Sequence, residues 1–388
     1  MGVPLRTKLR YTLLNFIHDS RSVGILLLCC TAISLVVSNL SIGKVYHDFW
    51  QTEIPVFHSL YLPHSIIHFI NDALMAVFFF LAGMEIKREM LVGELSSIRQ
   101  ALLPIAAAVS GAVVPAAIFL LFNSGSEFQH GWAIPTATDI AFSLGIVALL
   151  GKKVPDSLRI FLTALAIIDD LIAIVVIALF YGEAINWMYF LGVIAVVILL
   201  FVLNKIAKQK LQWLRIILGI AMWFCMYHSG IHATVAGVLF ALLLPKELLS
   251  VYEKRLHVFV NFFVIAVFVL ANTSIVLPSN FTGAFGSALS WGIIVGLFIG
   301  KPLGIAVVCF LMIKSGWAKM PKGANHRQFL GVAILAGIGF TMSIFVSSLA
   351  YENTDVQSTA KIAVIAASFL AMITGFVWLK IIARRSQA

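Results

Sequence analysis

Charge is what this sequence has least of: only 11% of its 388 residues are Asp, Glu, Lys or Arg, and 17 of them are carboxylates. A soluble domain carries about 25% charged residues, so a water-soluble chain built round one core is excluded. Cysteine is equally sparse. Cys29, Cys30, Cys225 and Cys309 all lie in apolar runs and none has metal-ligand spacing, which argues against a zinc site and against a disulfide framework. A cleavage signal is missing too. The first apolar run, Ser22 to Leu40, follows a basic stretch with Arg6, Lys8, Arg10 and Arg21. It is long for a signal peptide and no small-x-small site follows it, so it reads as a first membrane span.

What the chain has in abundance is apolar sequence, 61% of all residues. Runs long enough to cross a bilayer recur about twelve times, near 22–40, 66–86, 101–123, 132–150, 156–181, 186–204, 211–227, 228–244, 256–276, 286–312, 328–350 and 360–381. The expected fold class is an all-α polytopic membrane protein, with residues 1–388 as one integral-membrane domain. The net charge of +10 does not read as a nucleic-acid surface, because of where it sits. With the connections assigned alternately to two sides, every Lys and Arg falls on one side except Lys44 and Lys361 on the other and Lys301 inside a span. By the positive-inside rule the crowded side is cytoplasmic, the span count is even and both termini are cytoplasmic.

Within the run from Leu158 to Phe180 stand two adjacent carboxylates, Asp169 and Asp170. Each Asp at the centre of a span costs roughly 2.5–3.5 kcal/mol on the insertion scale. The fifteen Leu, Ile, Val and Phe of the same run contribute roughly −0.3 to −0.6 kcal/mol apiece, so insertion gains little. A pair held at that depth faces protein or water and marks a substrate or ion pathway. The bland alternative is a structural ion pair. It explains one Asp better than two, because neighbours on a helix point about 100° apart and one partner cannot satisfy both.

Two further spans are interrupted. Span four carries Pro135, Thr136, Thr138 and Asp139 well inside its apolar run. Proline removes a donor and clashes with the preceding turn, and the threonines and Asp139 suit the cap of a new helix. Span eleven carries Gly337 and Gly339 at its centre, followed by Thr341 and Ser343. Spans 3–5 and 10–12 have opposite orientations, each with a broken middle helix. That is the inverted-repeat pattern of secondary transporters, whose site lies where the breaks meet. Lys301 in span ten needs a counter-charge, and Asp139, Asp169 and Asp170 are the carboxylates at that depth. In span two, Asp72 lies near the outer end and Glu85 and Glu89 share a face at the inner end, with Arg88 beside them. In span eight, His228 and His232 are four apart on one helix face. No third metal ligand accompanies them, so a titrating or hydrogen-bonded role is expected. Glu253 sits in a charged surface cluster with Lys254 and Arg255.

At these residues the chain resembles the NhaA-type sodium/proton antiporters, from about Asp19 to Leu379. The motifs are Asn71-Asp72-Ala73-Leu74-Met75-Ala76, Glu85-Ile86-Lys87-Arg88-Glu89, Ala137-Thr138-Asp139-Ile140-Ala141, Ala166-Ile167-Ile168-Asp169-Asp170, Ser229-Gly230-Ile231-His232-Ala233-Thr234, Gly300-Lys301-Pro302-Leu303-Gly304 and Gly337-Ile338-Gly339-Phe340-Thr341-Met342-Ser343. The resemblance implies that Asp169 and Asp170 bind Na+, with Thr138 and Asp139 at the crossing of the broken helices. Asp139 would offset the helix N-termini there, and Lys301 would pair with Asp169. It places Glu85, Arg88, Glu89, Glu253 and His232 in a cytoplasmic or pH-response network. It also implies electrogenic exchange that shuts down at acid pH, in the cytoplasmic (inner) membrane of a prokaryote. Span nine departs from the family pattern, with Ala266 where Pro is expected and Ser274 where Gly is expected; a straighter helix is the expectation there.

Elementary chemistry supplies the mechanism. Removal from water and a like-charged neighbour both favour the protonated form of a carboxyl group. A hard cation binds the same oxygens once they are deprotonated. Competition between H+ and Na+, or Li+, for one site exposed alternately to each side is antiport. No cofactor and no catalytic reaction are expected, and the partners are Na+, Li+, H+ and the lipid bilayer. An intramembrane aspartyl protease needs its two Asp on different helices, and a channel is disfavoured by broken repeats without a symmetric pore. The polar segment 41–65 reads either as an external hairpin that docks a second copy into a homodimer or as a loop.

Overall fold

The computed structural model describes residues 20–207, 210–277 and 285–385. Arg6, Lys8, Arg10 and Lys208 of the positive-inside pattern lie outside the described residues. Among the described residues the secondary structure is helical, with a single isolated bridge between Glu53 and Ser65. The long helices are α1 (Ser20–Ser38), α2 (Ile66–Val92), α3 (Ile98–Asn123), α4 (Gln129–Leu150), α5 (Asp156–Phe180) and α6 (Trp187–Ala207). Two shorter ones follow, α7 (Gln212–His228) and α8 (Val235–Leu243). The rest are α9 (Lys246–Asn272), α10 (Ala288–Lys314), α11 (His326–Ala350) and α12 (Thr354–Arg385).

Ten of these are long and apolar enough to cross a membrane. In hydrocarbon every backbone N–H and C=O is satisfied internally, which is why the apolar runs take the helical form. The runs near 211–227 and 228–244 form α7 and α8, of 17 and 9 residues, short of the roughly 20 that span a bilayer. The reason is local. Gly230 stands at φ +89°, a left-handed conformation that ends α7 and that favours glycine. His228 and His232 therefore do not share a helix face, contrary to the expectation from their spacing. His228 closes α7, with Nε2 2.9 Å from the Tyr61 carbonyl, while His232 lies in the link before α8.

Segment 41–65 is not a plain loop. It holds a helix at Gly43–Gln51 and a short turn of helix at Pro55–Ser59, closed by the Glu53–Ser65 bridge. Lys361 is a second correction. Its place at the edge of the apolar run made it look like a connection residue. It lies inside α12 and is 6% exposed.

Among the described residues three helices contain one wide turn of π-helix: Ile70–Leu74 in α2, Val260–Val264 in α9 and Gly296–Gly300 in α10. Such turns recur at functional positions because they add a residue to the turn and re-aim a side chain. Here they contain Asp72 and Asn261 and immediately precede Lys301. α9 is otherwise continuous past Ala266 to Asn272. Close helix approach depends on small residues; at Gly237 of α8 any Cβ would run into the Ala76 carbonyl of α2.

Candidate ion-binding site

The site is built where α4 meets α11. Along α4, Gln129–Thr136 is 3-10 helix, Ala137–Asp139 is not helical, and α-helix resumes at Ile140. Along α11, α-helix runs from His326 to Ala336, stops, and resumes from Phe340 to Ala350. The backbone groups freed at these stops bond to one another. Asp139 N donates to Ile338 O at 2.7 Å, Thr138 Oγ1 to Ala336 O at 2.8 Å and Ser343 Oγ to Ile134 O at 2.7 Å.

The Asp139 carboxylate closes the arrangement. Its Oδ1 accepts from Phe142 N at 3.1 Å, and its Oδ2 accepts from Thr341 N at 3.0 Å and from the Thr341 hydroxyl. One carboxylate thus caps the helix starting at Ile140 and the helix starting at Phe340. An anion is favoured there because the unpaired N–H groups of both helix starts point at it. Asp139 is 2% exposed and Thr138 is fully buried.

Asp169 and Asp170 sit in the middle of α5, at 2% and 4% exposure. Their helical offset sends them different ways. Asp169 Oδ2 forms an ion pair with Lys301, whose ammonium also donates to the Thr136 carbonyl. Lys301 is fully buried, so carboxylate and carbonyl together satisfy a cation that would otherwise be costly at that depth. Asp170 faces a cavity instead. The buried Oδ1 of Asp170 accepts no hydrogen bond among the described residues.

That cavity has a volume of about 240 Å3. Its floor is Asp170, Thr138, Asp139 and Thr341, and Glu85, Arg88 and His257 line it as well. Each threonine hydroxyl on its wall already donates its proton to a protein oxygen: Thr138 to Ala336 O, Thr163 to Arg159 O and Thr341 to Asp139. Toward an occupant these hydroxyls present oxygen lone pairs only, the preference of a hard cation.

The remaining expected residues form two groups. Arg88 pairs with Glu253 Oε1 at 2.6 Å and with Glu89 Oε1 at 3.2 Å, and Glu89 Oε2 accepts from Glu94 N at 3.1 Å. Glu85 stands beside them on the cavity wall. His232 is not in this cluster. Its Nε2 lies 3.5 Å from Asp72 Oδ1 and its Nδ1 lies 2.8 Å from Thr234 Oγ1. Glu85 follows Asp72 by thirteen positions on α2, about 20 Å of helix. The sequence reading gives Thr163, Asn261, His257 and Thr341 of the cavity wall no role at the site, and sets Lys361 in a connection. The motif Phe340-Thr341-Met342 carried a signal for Thr341. Lys361 Nζ lies 3.4 Å from Asn272 Oδ1, which also accepts from Ser348 Oγ at 3.3 Å; no described carboxylate forms an ion pair with it.

Comparison with known proteins agrees across nearly the whole chain. The family model described as Na+/H+ antiporter 1 matches residues 14–379. A curated relative from Cytophaga hutchinsonii, named Na(+)/H(+) antiporter NhaA, is 44% identical over 372 residues, covering 94% of each chain. One from Flavobacterium johnsoniae, named Na(+)/H(+) antiporter NhaA 2, is 46% identical over 373 residues, covering 94% of this chain and 91% of its own. A third, from Dechloromonas aromatica, is 45% identical over 383 residues, covering 96% and 97%. With the buried aspartates, the double-capping Asp139 and the Lys301 pair in place, these matches settle the assignment: the chain belongs to the NhaA-type Na+/H+ antiporter family.

Proposed function

We propose that this protein is a secondary active antiporter of a prokaryotic cytoplasmic membrane, exchanging cytoplasmic Na+ or Li+ for external H+ in sodium and pH homeostasis. Asp170 carries the reading: a buried carboxylate on the floor of a cavity, next to an Asp169 already engaged by Lys301. Protonated, Asp170 carries no charge to hold a cation. Deprotonated, it offers an anionic oxygen to a cation alongside the lone pairs of Thr138. H+ and Na+ then compete for one group, and alternate exposure of that group to the two sides is exchange. No enzyme chemistry and no cofactor enter the cycle.

The topology that goes with this reading has twelve crossings, α7 and α8 forming the short seventh and eighth, and both termini in the cytoplasm. α3–α5 and α10–α12 form inverted repeats whose broken middle helices, α4 and α11, cross at the ion site. Asp139 and Lys301 compensate charge there. The cavity opens toward the Glu85, Arg88, Glu89 and Glu253 cluster, on the cytoplasmic side, where it tunes the response to pH. Asp72 and His232 lie toward the outside, and His232 contributes to pH response from that end. Exchange is electrogenic, with more than one proton per cation, and stops at acid pH. A second copy docks through segment 41–65. The test is Na+-induced fluorescence dequenching in everted vesicles across pH. Added Na+ should collapse an imposed proton gradient at alkaline pH and progressively less at acid pH. No response to Na+ or Li+ at any pH would overturn the reading.

A further inference from the structure

The middle of the cavity has no role in the exchange described so far. On α5 the lining residues are Thr163, Ile167 and Asp170, and on α9 they are His257, Asn261 and Ile265. Thr163 precedes Asp170 by seven residues, about 10 Å along the helix axis, on the side of the Glu85 and Arg88 mouth. Between mouth and floor the walls are apolar, among them Phe78, Leu81, Leu144 and Ile167, except for Thr163 and Asn261. Both are half-buried. The Thr163 hydroxyl donates to Arg159 O at 3.0 Å, so its lone pairs are what it can offer an occupant. Asn261 lies in the π turn Val260–Val264 on the cavity-facing line of α9. Its side chain lines the cavity.

We propose that Thr163 Oγ1 and Asn261 Oδ1 form a neutral way station, where a cation taken from the mouth exchanges part of its water for protein oxygen before it reaches Asp170. An apolar passage opposes a cation because desolvation is uncompensated there. Two neutral oxygens lower that opposition, and having no charge they do not trap the ion. Favourable contact weak enough to release is the condition for passage through a series of sites. The station rests on the Na+/H+ reading above and adds to it a determinant of cation capture from one side only.

The test uses the full-length protein in everted vesicles and in right-side-out proteoliposomes, with Na+ as the probe. Thr163→Val and Asn261→Leu remove the oxygens at similar volume. Each should raise the apparent KM for Na+ offered on the Glu85 face by about three- to ten-fold, at unchanged maximal rate, as loss of one neutral contact predicts. The pH profile should not move, Thr163→Ser should behave as wild type, and the KM for Na+ offered on the opposite face should stay the same. Where the apolar side chain impairs folding, Thr163→Ala and Asn261→Ala carry the same expectation. An unchanged KM on the Glu85 face in folded variants would overturn the station. So would an equal shift on both faces, which is the mark of a structural role. Wild-type protein that moves no protons in response to Na+ would instead sink the exchange reading, with the station along with it.

Discussion

Asp169 and Asp170 differ because a helix turns about 100° between neighbours: one reaches Lys301 and the other the cavity. One Na+ replacing one proton at Asp170 moves no net charge, so an electrogenic cycle needs a second proton carrier. The Asp169–Lys301 pair supplies one if it forms without Na+ and parts when Na+ arrives. Removing either partner alone strands a buried charge at a cost of about 3–5 kcal/mol and confuses folding with transport. The double variant Asp169→Asn with Lys301→Gln avoids this. It should still exchange, more slowly, but one for one, and Na+-driven proton flux should become insensitive to a clamped membrane potential. Full voltage dependence would move the second proton elsewhere, with Asp139 next in line. How much of this pair was legible depends on the residue. The depth of Lys301 could be read from Ile299-Gly300-Lys301-Pro302, but physics left three carboxylates open to it. Only the family resemblance pointed to Asp169, since contact across 132 positions of sequence leaves no local trace.

At the scale of elements, the crossing of α4 and α11 hangs on one side chain. Asp139 caps two helix starts, and each lost cap costs about 0.5–2 kcal/mol. Asp139→Ala should therefore lower the thermal stability of the detergent-solubilised protein measurably, by the loss of both caps. Asp139→Asn should fall between, because its amide keeps one acceptor oxygen and turns a donor toward the other cap. Equal stability of all three proteins, read by thermal unfolding, would show that the caps carry no weight. Pro135 and Asp139 announce in sequence a change of backbone along α4, because proline and a capping carboxylate have local consequences. The bond from Asp139 to Thr341 joins positions 202 apart and has no such signature. Nor do the π turns, which depend on how a helix packs against its neighbours, so Asn261 gave no sign of its place on the cavity wall.

For the molecule as a whole, hydropathy was enough to read a polytopic helical membrane protein, since bilayer crossing is a property of length and composition. It was less able to place edges. Lys361 looked like a connection residue because an apolar window cannot tell a buried lysine from a flanking one. The proposed reading assigns ion chemistry and its control to different ends of one cavity. Arg88 links Glu253 and Glu89 at the mouth of the cavity that ends at Asp170. Glu253→Gln breaks the shorter of those ion pairs without touching the floor. It should shift the pH profile of exchange and leave the maximal rate near that of wild type; a large loss of rate at every pH would count against a regulatory role.

The most direct measurement is uptake of radioactive Na+ into proteoliposomes in an alkaline bath with a less alkaline interior, inside the active pH range, with wild-type protein and with Asp170→Asn. The asparagine variant should insert normally, because a neutral amide costs less at depth than a carboxylate. Exchange at Asp170 predicts that the outward proton gradient drives Na+ inward through the wild type, that a protonophore abolishes the uptake, and that Asp170→Asn shows none. Wild-type-like uptake by Asp170→Asn, or wild-type uptake indifferent to the proton gradient, would contradict it.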